Sequence, residues 1–247
     1  MALSFLCVNN DETDVILFGP TGPGTVPYDL GPLQPYVKPV VTNLGVKLDS
    51  ALKLDKQVNA VVSSGFYHLR LHARIKSVLS FSDLERAIHA FISTRLDYCN
   101  ALYAGLNQAS MARLQLVQNA AARLLTGTRK REHITPILAS LHWLPVRFRV
   151  DFKILLFVFE ALNNLAPLYL SEFIEVYTPT RSLRSAGQLN LTTKLKPRLK
   201  SRGHRAFSVI APRLWNELPS HIKLAPSTDS FKSRLKTHLY ALAFNTS

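Results

Sequence analysis

The sequence predicts a mainly α protein, a helical bundle preceded by a short N-terminal β-strand or hairpin segment. Three observations carry this. The apolar spacing changes from two residues to about 3.6 near Ala51. Helix-start signals then follow at Ser82, Thr135-Pro136, Leu144-Pro145 and Ala166-Pro167. Finally, 47% apolar content over 247 residues is enough for a core.

Taken in order, Val15-Ile-Leu-Phe18 is a short β-prone run that ends at Gly19-Pro20. Six prolines and four glycines between Gly19 and Pro39 exclude a regular element there, so a loop is expected. Val40 to Asp49 reads as a strand, or as a hairpin turning at Asn43 to Gly45. From Ala51, the apolar positions Leu54, Val58, Val61, Val62, Tyr67 and Leu71 predict a helix into the low 70s, extended or broken near Gly65.

Ser82-Asp-Leu-Glu85 has capping-box spacing, in which the Ser and Glu side chains each satisfy an orphan backbone N–H. The helix it opens places Leu84, Ile88, Phe91, Ile92 and Leu96 inward, and Arg95 within the same arc. A buried guanidinium needs a partner, so a salt bridge to Asp97 is expected. After a short Gly-containing connection, Leu114, Val117, Ala121, Leu124 and Leu125 line the next helix, closed by Gly127. Gln115, Asn119 and Arg123 form a polar ridge on another side of it. Leu144-Pro145 starts a long apolar helix through Phe152, Leu155, Leu156, Phe159 and Leu162, which reads as the central core helix because Ile154 to Phe159 is apolar on nearly every side. Ala166-Pro167 starts a short helix through Phe173, and Ser227 caps a last one with Phe231, Leu235, Leu239 and Leu242 inward.

The expected organisation is therefore four segments. Residues 1–50 hold two short strands and a Pro/Gly-rich loop, and 51–177 form the helical bundle. Residues 178–205 form a basic, extended loop. Residues 206–247 pack back on the bundle.

The formal charge is +14, with a pI near 10.0. Residues 1–50 carry Lys38 and Lys47 against Asp11, Glu12, Asp14, Asp29 and Asp49, a net of −3, so the body carries +17. Such a surplus points to a polyanionic partner, nucleic acid ahead of a membrane surface. The apolar run from Ile154 to Phe159 is far short of the ~20 residues that cross a bilayer. The start lacks a basic n-region, so no secretion signal is read. Two cysteines, Cys7 and Cys99, make no disulfide framework and are expected to be small buried residues. The expected setting is intracellular, cytoplasmic or nuclear, as a soluble chain.

No nucleophile elbow and no phosphate-cradling Gly-rich signature occur. His68 and His72 share a helix face without an evident third ligand, so no metal and no cofactor are expected. The strongest functional signal is the run Arg181, Arg184, Lys194, Lys196, Arg198, Lys200, Arg202 and Arg205, with no acidic residue between Thr178 and Arg205. Clustered Lys and Arg neutralise phosphates with little sequence preference. Arg129, Lys130 and Arg131 form a second cluster, which also complements a helix C-terminus. Arg123 joins these as a candidate contact to RNA or DNA.

Arg95-Leu-Asp-Tyr-Cys-Asn-Ala-Leu, Leu114-Gln-Leu-Val-Gln-Asn-Ala-Ala-Ala-Arg, His133-Ile-Thr-Pro and Leu141-His-Trp-Leu-Pro-Val follow one another in order. Ala166-Pro-Leu-Tyr-Leu, Arg181-Ser-Leu-Arg-Ser, Arg205-Ala-Phe-Ser-Val and Leu214-Trp-Asn-Glu-Leu-Pro continue the series. Together they resemble the C-terminal part of LINE-type (non-LTR) retrotransposon reverse transcriptases, over nearly the whole chain. Asn10-Asp-Glu-Thr-Asp-Val resembles the family's segment just after the catalytic aspartate pair, with Glu12 where the family usually has Lys, and Asn43-Leu-Gly-Val resembles the hairpin that follows. The resemblance implies the end of a palm, a thumb and a C-terminal region, which in the family contact template RNA and target DNA. It also implies that the two-metal aspartates would lie before Met1, so these residues are expected not to polymerise alone. Two function classes follow: a non-catalytic nucleic-acid-binding fragment, or a remnant that docks another protein through its N-terminal strands or has no dedicated activity.

Overall fold

The computed structural model describes residues 13–18, 29–178, 189–193 and 203–244. It is 65% helical, with ten α-helices and a single two-stranded hairpin among the described residues, so the mainly α expectation holds. The chain divides into two compact units, Met1–Ala60 and Val61–Ser247.

In the first unit, β1 (Val40–Asn43) pairs antiparallel with β2 (Val46–Asp49), Asn43 opposite Val46. The two-residue turn Leu44-Gly45 has positive φ at both positions, 46° and 78°, the twist-compatible geometry for a tight hairpin. The chain after β2 is unusual, because Leu52 and Leu54 also take positive φ. The Asp49 carboxylate makes this tolerable by accepting backbone N–H groups from Ala51, Lys53 and Leu54 at 3.1, 2.9 and 2.6 Å. Val15 bridges Val37 in parallel, and Lys38 is ion-paired with Asp14. The stretch expected to be wholly irregular contains a 3-10 helix at Gly31–Tyr36. Pro32 fits there because it lies in the opening turn, where the missing N–H has no intrahelical partner anyway, while Pro35 lies inside the short helix.

Helix α1 (Asp55–Ile75) runs unbroken through Gly65. The second unit continues through α2 (Phe81–Ile88), a π-helical turn at His89–Ser93, and α3 (Thr94–Asp97). The N-cap of α2 is Ser80, two residues before the expected Ser82. Its Oγ accepts the Asp83 N–H at 3.1 Å and donates to the Asp83 carboxylate at 2.6 Å, so Asp83 holds the third helical position expected of Glu85 but binds the cap hydroxyl rather than a backbone N–H. A 3-10 turn at Asn100–Tyr103 leads to α4 (Gln108–Thr126), capped by Asn107, whose Oδ1 accepts the Ser110 N–H at 2.8 Å. At Gly65 the side chain of Val117 on α4 comes against α1: a Cβ there would lie 2.5 Å from Val117 Cγ1.

Helix α5 (Ile134–Ser140) starts before the expected Thr135 cap, with His133 at the N-cap and Pro136 inside the first turn, where its missing N–H leaves no bond unmade. Helix α6 (Val146–Leu162) begins directly after Pro145 and buries Val146, Val150, Ile154, Leu155, Leu156, Val158, Phe159 and Ala161, as a central core helix should. Helix α7 (Leu168–Ser171) follows Pro167. Helices α8 (Phe207–Asn216), α9 (Ser220–Lys223) and α10 (Thr228–Phe244) close the unit. Phe231 stacks on Phe159 with ring centroids 4.2 Å apart, and Trp215 lies 6.0 Å from Phe231 on another side. Ser227 caps α10 as expected, its Oγ accepting the Ser230 N–H at 3.2 Å.

Several inward assignments are corrected. Tyr67, Leu71, Phe91 and Leu242 are exposed. For Phe91 the cause is the π turn, whose extra residue rotates the helix face. Cys99 is also exposed, because its left-handed backbone (φ 50°) turns the chain between α3 and the following 3-10 turn. Cys7 lies outside the described residues. Arg95 is exposed too, and it does not pair with Asp97: its Nε donates to the Phe91 carbonyl at 3.0 Å. Asp97 is instead gripped by Arg149 of α6, through Nε to Oδ1 at 2.8 Å and through Nη2 to Oδ2. Among the described residues, no helix is long and apolar enough to cross a membrane.

Candidate nucleic-acid interface

The C-terminus of α4 leaves carbonyls without intrahelical donors. Gly127, in the left-handed region at φ 74°, returns its N–H to Arg123 O at 2.9 Å. Lys76, just beyond α1, donates Nζ to Leu124 O at 2.5 Å. The chain then makes a turn in which the Glu132 N–H reaches Arg129 O at 3.2 Å and the Arg129 N–H reaches Glu132 Oε1 at 3.0 Å. Arg123 fixes this turn from behind, donating Nη2 to the Glu132 carbonyl at 2.9 Å. Since Glu132 turns its carboxylate to the backbone, Arg129, Lys130 and Arg131 stand exposed with no side-chain partner among the described residues. Three cations on one tight turn suit phosphate contact.

The ridge on α4 has a different role from the Arg129 turn. Gln115 Nε2 donates to Gln118 Oε1 at 2.9 Å and to Asn119 Oδ1 at 2.8 Å, while Gln115 Oε1 accepts the Val146 N–H at 2.8 Å. Gln118, buried, donates to Leu144 O at 2.9 Å. Gln115, Asn119 and Arg123 are all half-buried and use their hydrogen bonds inside the molecule, holding the start of α6 and the basic turn. Arg123 therefore acts on the turn rather than presenting an open side chain, and its Nε is buried without a partner among the described residues.

Arg205 is also an internal strut. Its Nε donates to Ala104 O at 3.0 Å and its Nη2 to Leu102 O at 3.2 Å. Its stem fills the space beside Gly105, where a Cβ would fall 2.6 Å from Arg205 Cγ. Arg181, Arg184, Lys194, Lys196, Arg198, Lys200 and Arg202 lie outside the described residues. The middle of that run is described, and it is pinned. Leu191 is buried at 3% exposure, and it pairs with Val176 in an antiparallel bridge. The Leu191 N–H donates to Asn216 Oδ1 at 2.8 Å, Asn216 Nδ2 donates to Leu191 O at 2.9 Å, and Trp215 Nε1 donates to Leu189 O at 2.8 Å. Lys223, whose ammonium pKa burial lowers, donates to Asn190 Oδ1 at 2.9 Å.

Sequence reasoning missed further cations. Lys153 and Lys236 border a cleft of about 530 Å³ that also holds the Asp97–Arg149 pair, His89 and Trp143. Arg70 and Arg74 of α1 are exposed with no partner among the described residues. Nothing in the local sequence sets these apart from solvated charges. On α6, burial pushes the Asp151 carboxyl up to about 6, against the opposing pull of Arg147 and Arg213, with Glu217 adding to the rise. His68 is held below its usual range by burial first, then by Arg95 and His72. His72 is buried, with Nδ1 2.6 Å from His68 O, and no metal-binding cluster occurs among the described residues.

No protein-family model, no curated protein and no solved structure matches this chain.

Proposed function

We propose that this chain is a non-catalytic, nucleic-acid-binding unit of the kind that forms the thumb and C-terminal region of non-LTR reverse transcriptases. The observation that supports it best is the Arg129-Lys130-Arg131 turn, held open by Arg123 and left without carboxylate partners on a chain of charge +14. The acid-free run from Thr178 to Arg205 adds to the same reading. Binding of RNA or DNA through phosphates is then expected, with weak sequence preference and steep salt dependence. The reading puts the chain's work inside the cell, in cytoplasm or nucleus, without a cofactor and without a membrane partner.

The test is binding of labelled RNA and DNA across a salt series. The expected result is measurable affinity at ~50 mM salt that falls linearly on a log–log plot, and a shallower slope for the triple change R129Q/K130Q/R131Q. Absence of binding at that salt, or binding without a salt slope, overturns the reading. Nucleotide incorporation in a primer-extension assay would overturn its non-catalytic part.

A second reading, docking of another protein on the hairpin, is favoured by one observation: among the described residues its sheet has two strands only. A well-folded monomer by light scattering counts against a required partner.

A further inference from the structure

The α1 surface next to Phe91 combines aromatic faces with cations in a way that the basic turn does not. Tyr67 is 53% exposed and Phe91 47% exposed, although both are large apolar rings. His68 joins them: its ring stacks on Phe91 at 5.3 Å with an interplanar angle of 21°, and Tyr67 meets it edge-on at 5.3 Å. His72 supports Phe91 from below at 5.6 Å. Tyr67, His68 and Phe91 thus touch in series across α1 and the π turn, with Tyr67 and Phe91 offering exposed ring area.

Charge flanks this surface on two sides. A four-residue step advances a helix face by about 40°, so Tyr67, Leu71 and Ile75 progress round α1 toward the His68 side, and Arg70 and Arg74 fall on the other flank. All five are exposed. On the far side Arg95 is held against the π turn by its bond to Phe91 O. No Asp or Glu occurs between Lys56 and Ser82, and the carboxylates that follow already have cationic or ionisable neighbours: Asp83 lies 3.9 Å from Arg86, Glu85 lies 3.9 Å from His89, and Asp97 is held by Arg149. A second copy of this chain would set Arg70 and Arg74 against the same arginines, so self-association through this face is disfavoured.

We infer that Tyr67, His68 and Phe91, flanked by Arg70, Arg74 and Arg95, form a stacking platform for the unpaired bases of single-stranded nucleic acid. The physical basis is general. Aromatic rings stack on any base, and flanking arginines take the phosphates, so strand state is read without sequence. A duplex keeps its bases inside and can use the arginines only. This inference rests on the nucleic-acid reading above and adds to it a preference for single strands at a site apart from the Arg129 turn.

The experiment compares a ~12-nucleotide oligo(dT) with a duplex of equal length, using wild type, Y67A/F91A and R70Q/R74Q/R95Q, each checked for a wild-type melting transition. Because Tyr67 and Phe91 are exposed, their loss should leave the fold intact. The Y67A/F91A chain is expected to bind oligo(dT) at least about tenfold more weakly with an unchanged salt slope, and duplex as before. The arginine variant should show a shallower slope on both ligands. Unchanged oligo(dT) affinity in Y67A/F91A, or an equal loss on oligo(dT) and duplex, overturns the platform while leaving the basic-surface reading standing. That holds also if the face proves to bind an acidic amphipathic peptide instead. Failure of wild type to bind either ligand removes both readings together.

Discussion

The side-chain amide of Asn216 pairs with both backbone polar groups of Leu191, donating at 2.9 Å and accepting at 2.8 Å, as a neighbouring strand would. The C-terminal end of α8 therefore stands in for a sheet partner in the middle of the basic run. Replacing Asn216 with Ala leaves a buried N–H and a buried C=O unsatisfied, and a loss of about 3 kcal/mol is expected in urea unfolding. Asn216→Asp keeps the acceptor and should lose about half as much. Faster protease cleavage near Leu191 in the Ala variant, without a change elsewhere, is the accompanying sign.

Arg149 and Asp97 tie α6 to the end of α3 by a bidentate contact. Such fork-to-carboxylate pairs are stronger than single-point surface pairs. A double-mutant cycle with Asp97→Asn and Arg149→Ala is expected to give a coupling of about 1 to 2 kcal/mol. Arg95→Ala, two residues from Asp97 but exposed, should fall within about 0.5 kcal/mol of wild type. Coupling of Asp97 to Arg95 rather than to Arg149 would contradict the geometry.

Asp151 sets a pH dependence with a definite sign. Its folded-state value, raised from 3.8 to about 6, means that the folded state holds the proton over an interval in which the unfolded state has released it. Stability contributed at this site therefore falls as pH rises from near 4 to near 6, and the burial penalty is fully present above that. Asp151→Asn removes the penalty, so the variant should be more stable at pH 7, by at most about 3 kcal/mol, with the advantage vanishing toward pH 4. Thermal melts of both chains at pH 4, 5, 6 and 7 check it. A variant less stable at pH 7 would show that the carboxylate's flanking arginines outweigh its burial.

What the sequence makes legible here is local. The Asn43–Gly45 turn, the prolines before α6 and α7 and the Ser227 cap announce themselves within a few residues, and the apolar run of α6 marks the core helix without reference to anything else. The errors arise where distance or phase decides. Asp97 and Arg149 lie 52 residues apart, so the near neighbour Arg95 looked like the partner. The π turn at His89–Ser93 adds a residue to the helical period, carrying Phe91 and Arg95 outward and burying Ser93. At the candidate interface, the exposure of Arg129, Lys130 and Arg131 follows from their turn composition. The engagement of Arg205 depends on carbonyls about a hundred residues away, which no local pattern signals.

The missing side chain at Gly65 ties that position to Val117. Helix propensity favours Ala there by about 1 kcal/mol, yet a methyl group would collide with Val117 Cγ1 at 2.5 Å. Gly65→Ala alone is therefore expected to destabilise, and Val117→Ala to relieve that cost by removing the colliding methyl. Two residues 52 positions apart are thus expected to be coupled energetically, and a double-mutant cycle of Gly65→Ala with Val117→Ala checks it.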